Sequence, residues 1–140
     1  MKFEAIVKGA AALFLTAMPS FAATEPSGAL AALDGRWTTV GDQKKYGADA
    51  CKSHWTDYKV NADKRGVVLK TAEGKVLNYL VLYTEADNAA MYIEGEDRRL
   101  STGDRVVWVL MRESPDKIAW RAHGRPSTPA FADHGSVRCK

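Results

Sequence analysis

The sequence predicts an all-β fold: about eight short antiparallel strands closed into an up-and-down barrel and fastened by one disulfide. Three observations lead there. Beyond residue 34 no long stretch repeats its apolar residues every 3.6 positions, so amphipathic helices are not expected. Instead, short runs of β-branched and aromatic residues alternate with turn residues every 8 to 15 positions. Finally, the chain holds only two cysteines, Cys51 and Cys139, one near each end of the strand-rich region.

In chain order, the first element is not part of the fold. The N-terminus reads MKFEAIVKGAAALFLTAMPSFAATEPSG. Lys2 and Lys8 make a positive start, interrupted by Glu4. An apolar stretch follows from Gly9 to Met18, and Pro19 breaks it. Ser20, Phe21 and Ala22 put small residues at the two positions a signal peptidase reads. Residues 1–22 are therefore expected to be a secretory signal peptide, cut before Ala23. The apolar core is about ten residues, too short for a bilayer that needs about 20. No cysteine follows it to take a lipid. The signal is bacterial in style, so the expected location is the periplasm or beyond, with no membrane span after cleavage.

Residues 23–34 are expected to form a leader with one short helical turn at 28–34 (GALAALD), and residues 35–140 a single barrel domain. Its strands are expected at 36–40 (RWTTV), 54–60 (HWTDYKV), 66–71 (GVVLKT) and 75–84 (KVLNYLVLYT), then at 89–94, 105–112 (RVVWVLMR), 117–122 (KIAWRA) and 136–139 (SVRC). Asn61, Glu73-Gly74 and Ser114-Pro115-Asp116 mark tight turns, so their flanking strands should pair antiparallel. The longer connections are 41–53 and 123–135. A single sheet this large would leave one greasy face open; closing it removes the problem.

Composition narrows the function. The whole chain carries 20 Lys and Arg against 17 Asp and Glu. Loss of the signal peptide leaves 118 residues with a net charge of +2 and no Lys/Arg run. That excludes a basic nucleic-acid surface. In an oxidising compartment Cys51 and Cys139 have only each other to pair with. The bridge would close a loop of 88 residues and make the domain's two ends neighbours.

Leu33-Asp34-Gly35-Arg36-Trp37 places a Gly-x-Trp at the start of the first strand, and Arg138 lies on the last. This resembles the lipocalin-like (calycin) barrels, in which such a Trp opens the barrel and a late Arg packs across it. The resemblance implies that Trp37 and Arg138 close one end, by a guanidinium over an indole worth about 0.5 to 2 kcal/mol. The opening is also similar to that of small periplasmic inhibitors of secreted metalloproteases, eight-stranded barrels with one disulfide. Their cysteines lie close in sequence, unlike these, and their N-terminal leader carries the inhibition; residues 23–28 are the matching segment here.

Chemistry-bearing residues are sparse. His54, His123 and His134 are the three histidines, and His123 and His134 flank the last long connection beside Asp133. Solvated loop positions fit them better than a metal site, which needs three or four converging ligands. Ser127, Ser136, His134 and Asp133 share the C-terminal stretch, but no Gly-x-Ser-x-Gly elbow is present. Glu94, Glu96 and Asp97 are followed directly by Arg98 and Arg99, which reads as a self-paired, solvated turn. No catalytic residue, metal or cofactor is assigned, and binding is expected rather than catalysis.

The aromatics supply the candidate ligand or interface residues: Trp55, Tyr79, Tyr83, Trp108 and Trp120, all in expected strands. Along 75–84, Leu77, Tyr79, Val81 and Tyr83 should face one way and Val76, Asn78, Leu80 and Leu82 the other. Both faces are largely apolar. Residues 105–112 behave alike, with Val106, Trp108 and Leu110 against Val107, Val109 and Met111. An apolar outer wall on a barrel points to a covering segment, a dimer partner or a docking surface. Two functions follow as expectations. One is a periplasmic carrier of a small apolar or amphipathic ligand, which needs a hollow interior of several hundred cubic ångströms, on the order of ordinary ligand pockets. The other is a protein-interaction module, such as an inhibitor of a protease or lysozyme, which needs a filled interior.

Overall fold

Eight strands follow one another around a closed antiparallel barrel, and the last pairs with the first. The computed structural model describes residues 28–123 and 134–140. The strands are β1 (Gly35–Thr39), β2 (Thr56–Val60), β3 (Gly66–Thr71), β4 (Val76–Thr84), β5 (Asn88–Ile93), β6 (Trp108–Ser114), β7 (Lys117–Ala122) and β8 (Ser136–Arg138). Fold class and strand order are therefore those the sequence predicts. The expected signal peptide and residues 23–27 of the leader lie outside the described residues.

The tight turns set the neighbours. At the β3–β4 turn, Gly74 has φ +87° and donates its N–H to the carbonyl of Thr71. Only glycine takes that conformation without cost. Alternation then sorts the side chains. Trp37, Tyr58, Val67, Leu69, Tyr79, Met91, Leu110 and Ile118 face inward and are buried. From the preceding turn at 28–34, Leu30 and Leu33 join the same core.

Four local expectations are corrected. The connection 41–53 is not a loop. It folds as α1 (Val40–Tyr46), a 3₁₀ turn (Gly47–Asp49) and α2 (Ala50–Ser53). Thr39 starts α1 by accepting the N–H of Asp42 on its hydroxyl at 2.9 Å. Of α1 and α2 only Ala50 is buried, so there is no apolar stripe for a periodicity argument to find. Second, β2 begins at Thr56, so His54 and Trp55 are not strand residues. His54 ends α2 and stacks on Tyr46 at 3.9 Å between ring centroids.

Third, β6 begins at Trp108 rather than at residue 105. Arg105 pairs with Arg99 in an isolated bridge, outside the barrel's continuous pairing. Fourth, a bulge interrupts β4: Val81 pairs with Met91, but Tyr83 pairs with Ala90. Leu82 has no partner across the strand. The extra residue turns Tyr83 to the outside, away from the face of Leu77, Tyr79 and Val81.

Cys51 on α2 and Cys139, just past β8, form the disulfide, with Cα atoms 5.7 Å apart. Such bridges persist in oxidising compartments. Among the described residues no helix is long and apolar enough to cross a membrane.

Candidate functional site

One end of the barrel is shut by the turn at 28–34. Trp37 is fully buried and donates its indole N–H to the carbonyl of Leu33 at 2.8 Å. The Arg138 guanidinium lies over the Trp37 ring at 4.3 Å. It also donates to the carbonyls of Asp34 at 2.7 Å, Ala32, and Pro115 at 3.2 Å. One side chain thus ties the closing turn, β8 and the β6–β7 turn together. Gly35 makes room for it: φ is +120°, and a Cβ there would sit 3.0 Å from Arg138 Nη1. These carbonyls, with the Asp116 carboxylate 3.3 Å from Nε, replace much of the water around the cation, which is what allows a charge at the barrel floor.

Above this floor buried side chains occupy the centre of the barrel, with Leu77, Val81, Ile93 and Trp120 packed against them and only partly buried. Trp37, Val67, Met91, Leu110 and Ile118 are all at most 1% exposed. Trp120 stacks on Tyr79 at 5.2 Å and on Tyr58 at 6.0 Å, and donates its indole N–H to the Tyr58 hydroxyl at 3.1 Å. Burial pushes the Tyr79 phenol up to about 12, with the Glu96 charge adding to the effect. Burial raises the Tyr58 phenol further still, against the opposing pull of the Trp120 hydrogen bond.

The opposite end carries Trp108 and Glu96. Trp108 donates its indole N–H to Glu96 Oε2 at 2.8 Å. Arg98 pairs with the same carboxylate and lies over the Trp108 ring at 5.2 Å. The turn is self-paired as expected from its sequence, but it is not simply solvated. The Glu96 side chain is only 9% exposed.

The five candidate aromatics therefore occupy four places rather than one pocket. Tyr79 and Trp120 lie in the interior, and Trp108 sits at the end opposite the closing turn. Trp55 lies outside, beneath the Arg36 guanidinium at 4.0 Å. Arg36 in turn holds Asp57 through two hydrogen bonds of 2.8 and 2.9 Å. Those bonds keep the Asp57 carboxyl below its ordinary range. Tyr83 is on the outer wall.

The outer wall of β4 is the unusual surface. Val76, Leu80, Leu82 and Tyr83 are exposed at 52, 44, 47 and 48%. Between them Leu80 pairs with Tyr92 on one side and Gly66 on the other. The second double-faced run, 105–112, differs. Its outward Val109 is only 3% exposed, and Ala90, its partner on β5, is fully buried. The exposed apolar strip is thus confined to β4. Sequence reasoning placed Val76, Leu80 and Leu82 on one apolar face but took only the aromatics as candidates. The signal for the aliphatics was the same double-faced pattern.

Two clefts among the described residues lie at the surface. One of about 370 Å³ is bounded by Leu30, Asp34, Val60, Asn61 and Lys64 at the closed end. Another of about 810 Å³ runs beside the disulfide, past Gln43, Asp116 and Lys140. Among the described residues no group of three or more His, Cys, Asp or Glu is placed to hold a metal ion. His123 and His134 are both exposed, and Ser127 and Asp133 lie outside the described residues.

No family model matches the chain, and no curated protein does. Among solved structures, the chain is similar to the crystal structure of Treponema pallidum Tp0751 (pallilysin). The likeness has 16% identity and a TM-score of 0.42, and covers 80% of this chain and 84% of that one.

Proposed function

We propose that the chain is an exported, non-enzymatic barrel of lipocalin-like build, acting as a protein-interaction module through the outer wall of β4. One observation carries the reading: Val76, Leu80, Leu82 and Tyr83 are each about half exposed on a single strand, while buried side chains occupy the centre of the barrel. Apolar side chains of this size, clustered on a small domain, mark a surface that meets another protein. Lipocalin-like build is supported by Gly35, Trp37 and Arg138, whose guanidinium covers the indole at 4.3 Å. Export to the periplasm is supported by the charged-apolar-small pattern of residues 1–22 and by the disulfide.

The carrier of a small apolar ligand is the weaker reading, because Trp37, Met91, Leu110 and Trp120 stand where its cargo would sit. An inhibitor of a protease or lysozyme is one form the interaction module would take, with the β4 wall as its docking face.

The test is a photoreactive side chain in place of Leu82, in the full chain produced in its own cells. A discrete protein adduct at Leu82, missing from the same probe at exposed Lys52, is the expected result. No adduct at Leu82, with a small molecule retained in the purified protein's native mass spectrum, would overturn the reading in favour of the carrier.

A further inference from the structure

The β4 wall is bordered by charges of opposite sign on its two long sides. Toward β3 stand Lys70, paired with Val76, and Lys75 at the strand's start. Lys64 and Arg65 lie in the turn before β3, at the strand's other end. Toward β5 stand Glu94, whose N–H goes to the carbonyl of Asn78, and Glu85 and Asp87 in the β4–β5 turn. All seven are exposed. The exceptions are Asp63 and Glu73 on the basic side and, on the acidic side, Arg105, which is held over the Tyr92 ring at 4.0 Å.

We propose that this face docks on the same face of a second copy of the chain, about a two-fold axis running parallel to β4. The inference rests on the outer-wall reading above and names its partner. A two-fold interface must be complementary to itself, so each residue has to meet an acceptable image of the patch. Rotation about an axis along β4 keeps the strand ends level and exchanges the two sides. Lys70 and Lys75 of one copy then approach Glu94 of the other, and Arg65 and Lys64 approach Glu85 and Asp87. Val76, Leu80, Leu82 and Tyr83 meet their own images in the middle. An axis across the strand would instead lay Lys70 and Lys75 over Lys64 and Arg65, repelling on that side, and acid over acid on the other. Charge therefore selects one of the two ways of stacking the faces. A closed barrel has its strand edges paired, so the contact is made by side chains rather than by strand addition.

Sedimentation velocity and native mass spectrometry of the purified full chain test this. A monomer–dimer equilibrium is expected that weakens as salt is raised, since the rims are solvent-exposed. Leu80→Asp should abolish the dimer while circular dichroism stays unchanged. Lys70→Glu should weaken it roughly tenfold, an effect of about 1.4 kcal/mol. Adding Glu94→Lys to that variant should restore most of the loss. A dimer that survives Leu80→Asp, or a double charge variant no tighter than the singles, would overturn the proposal. So would a monomer at all concentrations. If that monomer still gives the Leu82 adduct with a different protein, self-pairing fails while the interaction-module reading stands.

Discussion

At the scale of single residues, the tyrosines give the most direct check on a packed interior. Tyr58 and Tyr79 are both buried against Trp120, and each phenol is held above its ordinary pKa by that burial. A group whose folded-state pKa is raised keeps its full contribution below the unfolded value, and loses it as pH climbs through the folded value. For Tyr79 the window runs from 10.0, the unfolded value, to about 12. Stability should therefore be level through neutral pH and fall across this alkaline range. Urea unfolding from pH 8 to 12, followed beside tyrosinate absorbance, measures it. Ionisation of all five tyrosines near pH 10 without loss of structure would contradict a packed interior. Residues of this kind were only half legible. The pattern Gly35-x-Trp37 with a late Arg138 was readable because it is linear sequence. The partners of Arg138 were not, because three backbone carbonyls from two separate turns leave no side-chain signature. Nor was Glu96, whose burial depends on where Trp108 and Arg98 fold back to meet it.

Strands were the more legible level, and their failures share one cause. Period-two alternation identifies a strand but does not count an extra residue within it. Strict alternation along 75–84 puts Tyr83 on the inner face, and the bulge at Leu82 moves it to the outer one. The bulge makes an unusual expectation about deletions. Removing Leu82 leaves Val81 facing in and the following tyrosine facing out, as they do now. The shortened strand should keep its pairing with β5 and lose less than about 1 kcal/mol, the range of a surface change. Removing Leu80 has the opposite effect. It sits in the regular ladder between Gly66 and Tyr92, so its loss inverts either Tyr79 or Val81 relative to the core. That variant should lose several-fold more, about 3 kcal/mol or greater, as buried side chains are displaced. Thermal melts of the two deletions compare them directly, and equal losses would mean that Leu82 is an integral ladder residue. The helical excursion between β1 and β2 was missed for a different reason. Its hold on the barrel is covalent and polar, through Cys51 and the bond from the Thr38 hydroxyl to the His54 carbonyl at 2.8 Å. Neither produces a periodic apolar pattern.

For the whole molecule the question is what keeps the barrel shut. Closure depends on β8, which has three residues and pairs with β7 at only two positions, Lys117 with Val137 and Ile118 with Ser136. So short a strand gives up much of its backbone freedom for few hydrogen bonds, and on its own it would fray. Two devices hold it from the other side. Arg138 binds the closing turn, and the next residue, Cys139, is bridged to α2. The bridge spans 88 residues, most of the folded domain. In the chain-entropy account, cross-linking a loop of this length destabilises the unfolded state by about 4 to 5 kcal/mol. That is comparable with the entire stability of many domains, about 5 to 15 kcal/mol. The even cysteine count made this legible from sequence, since two cysteines allow one pairing. How little sheet lies beneath it became visible only in the register. Cys51→Ser with Cys139→Ser should therefore lose about 4 kcal/mol in urea unfolding. Hydrogen exchange should show the loss first at β8 and the start of β7, while β3, β4 and β5 stay protected until global unfolding. A loss under about 1 kcal/mol, with β8 still protected, would assign closure to Arg138 and the β1–β8 pairing alone.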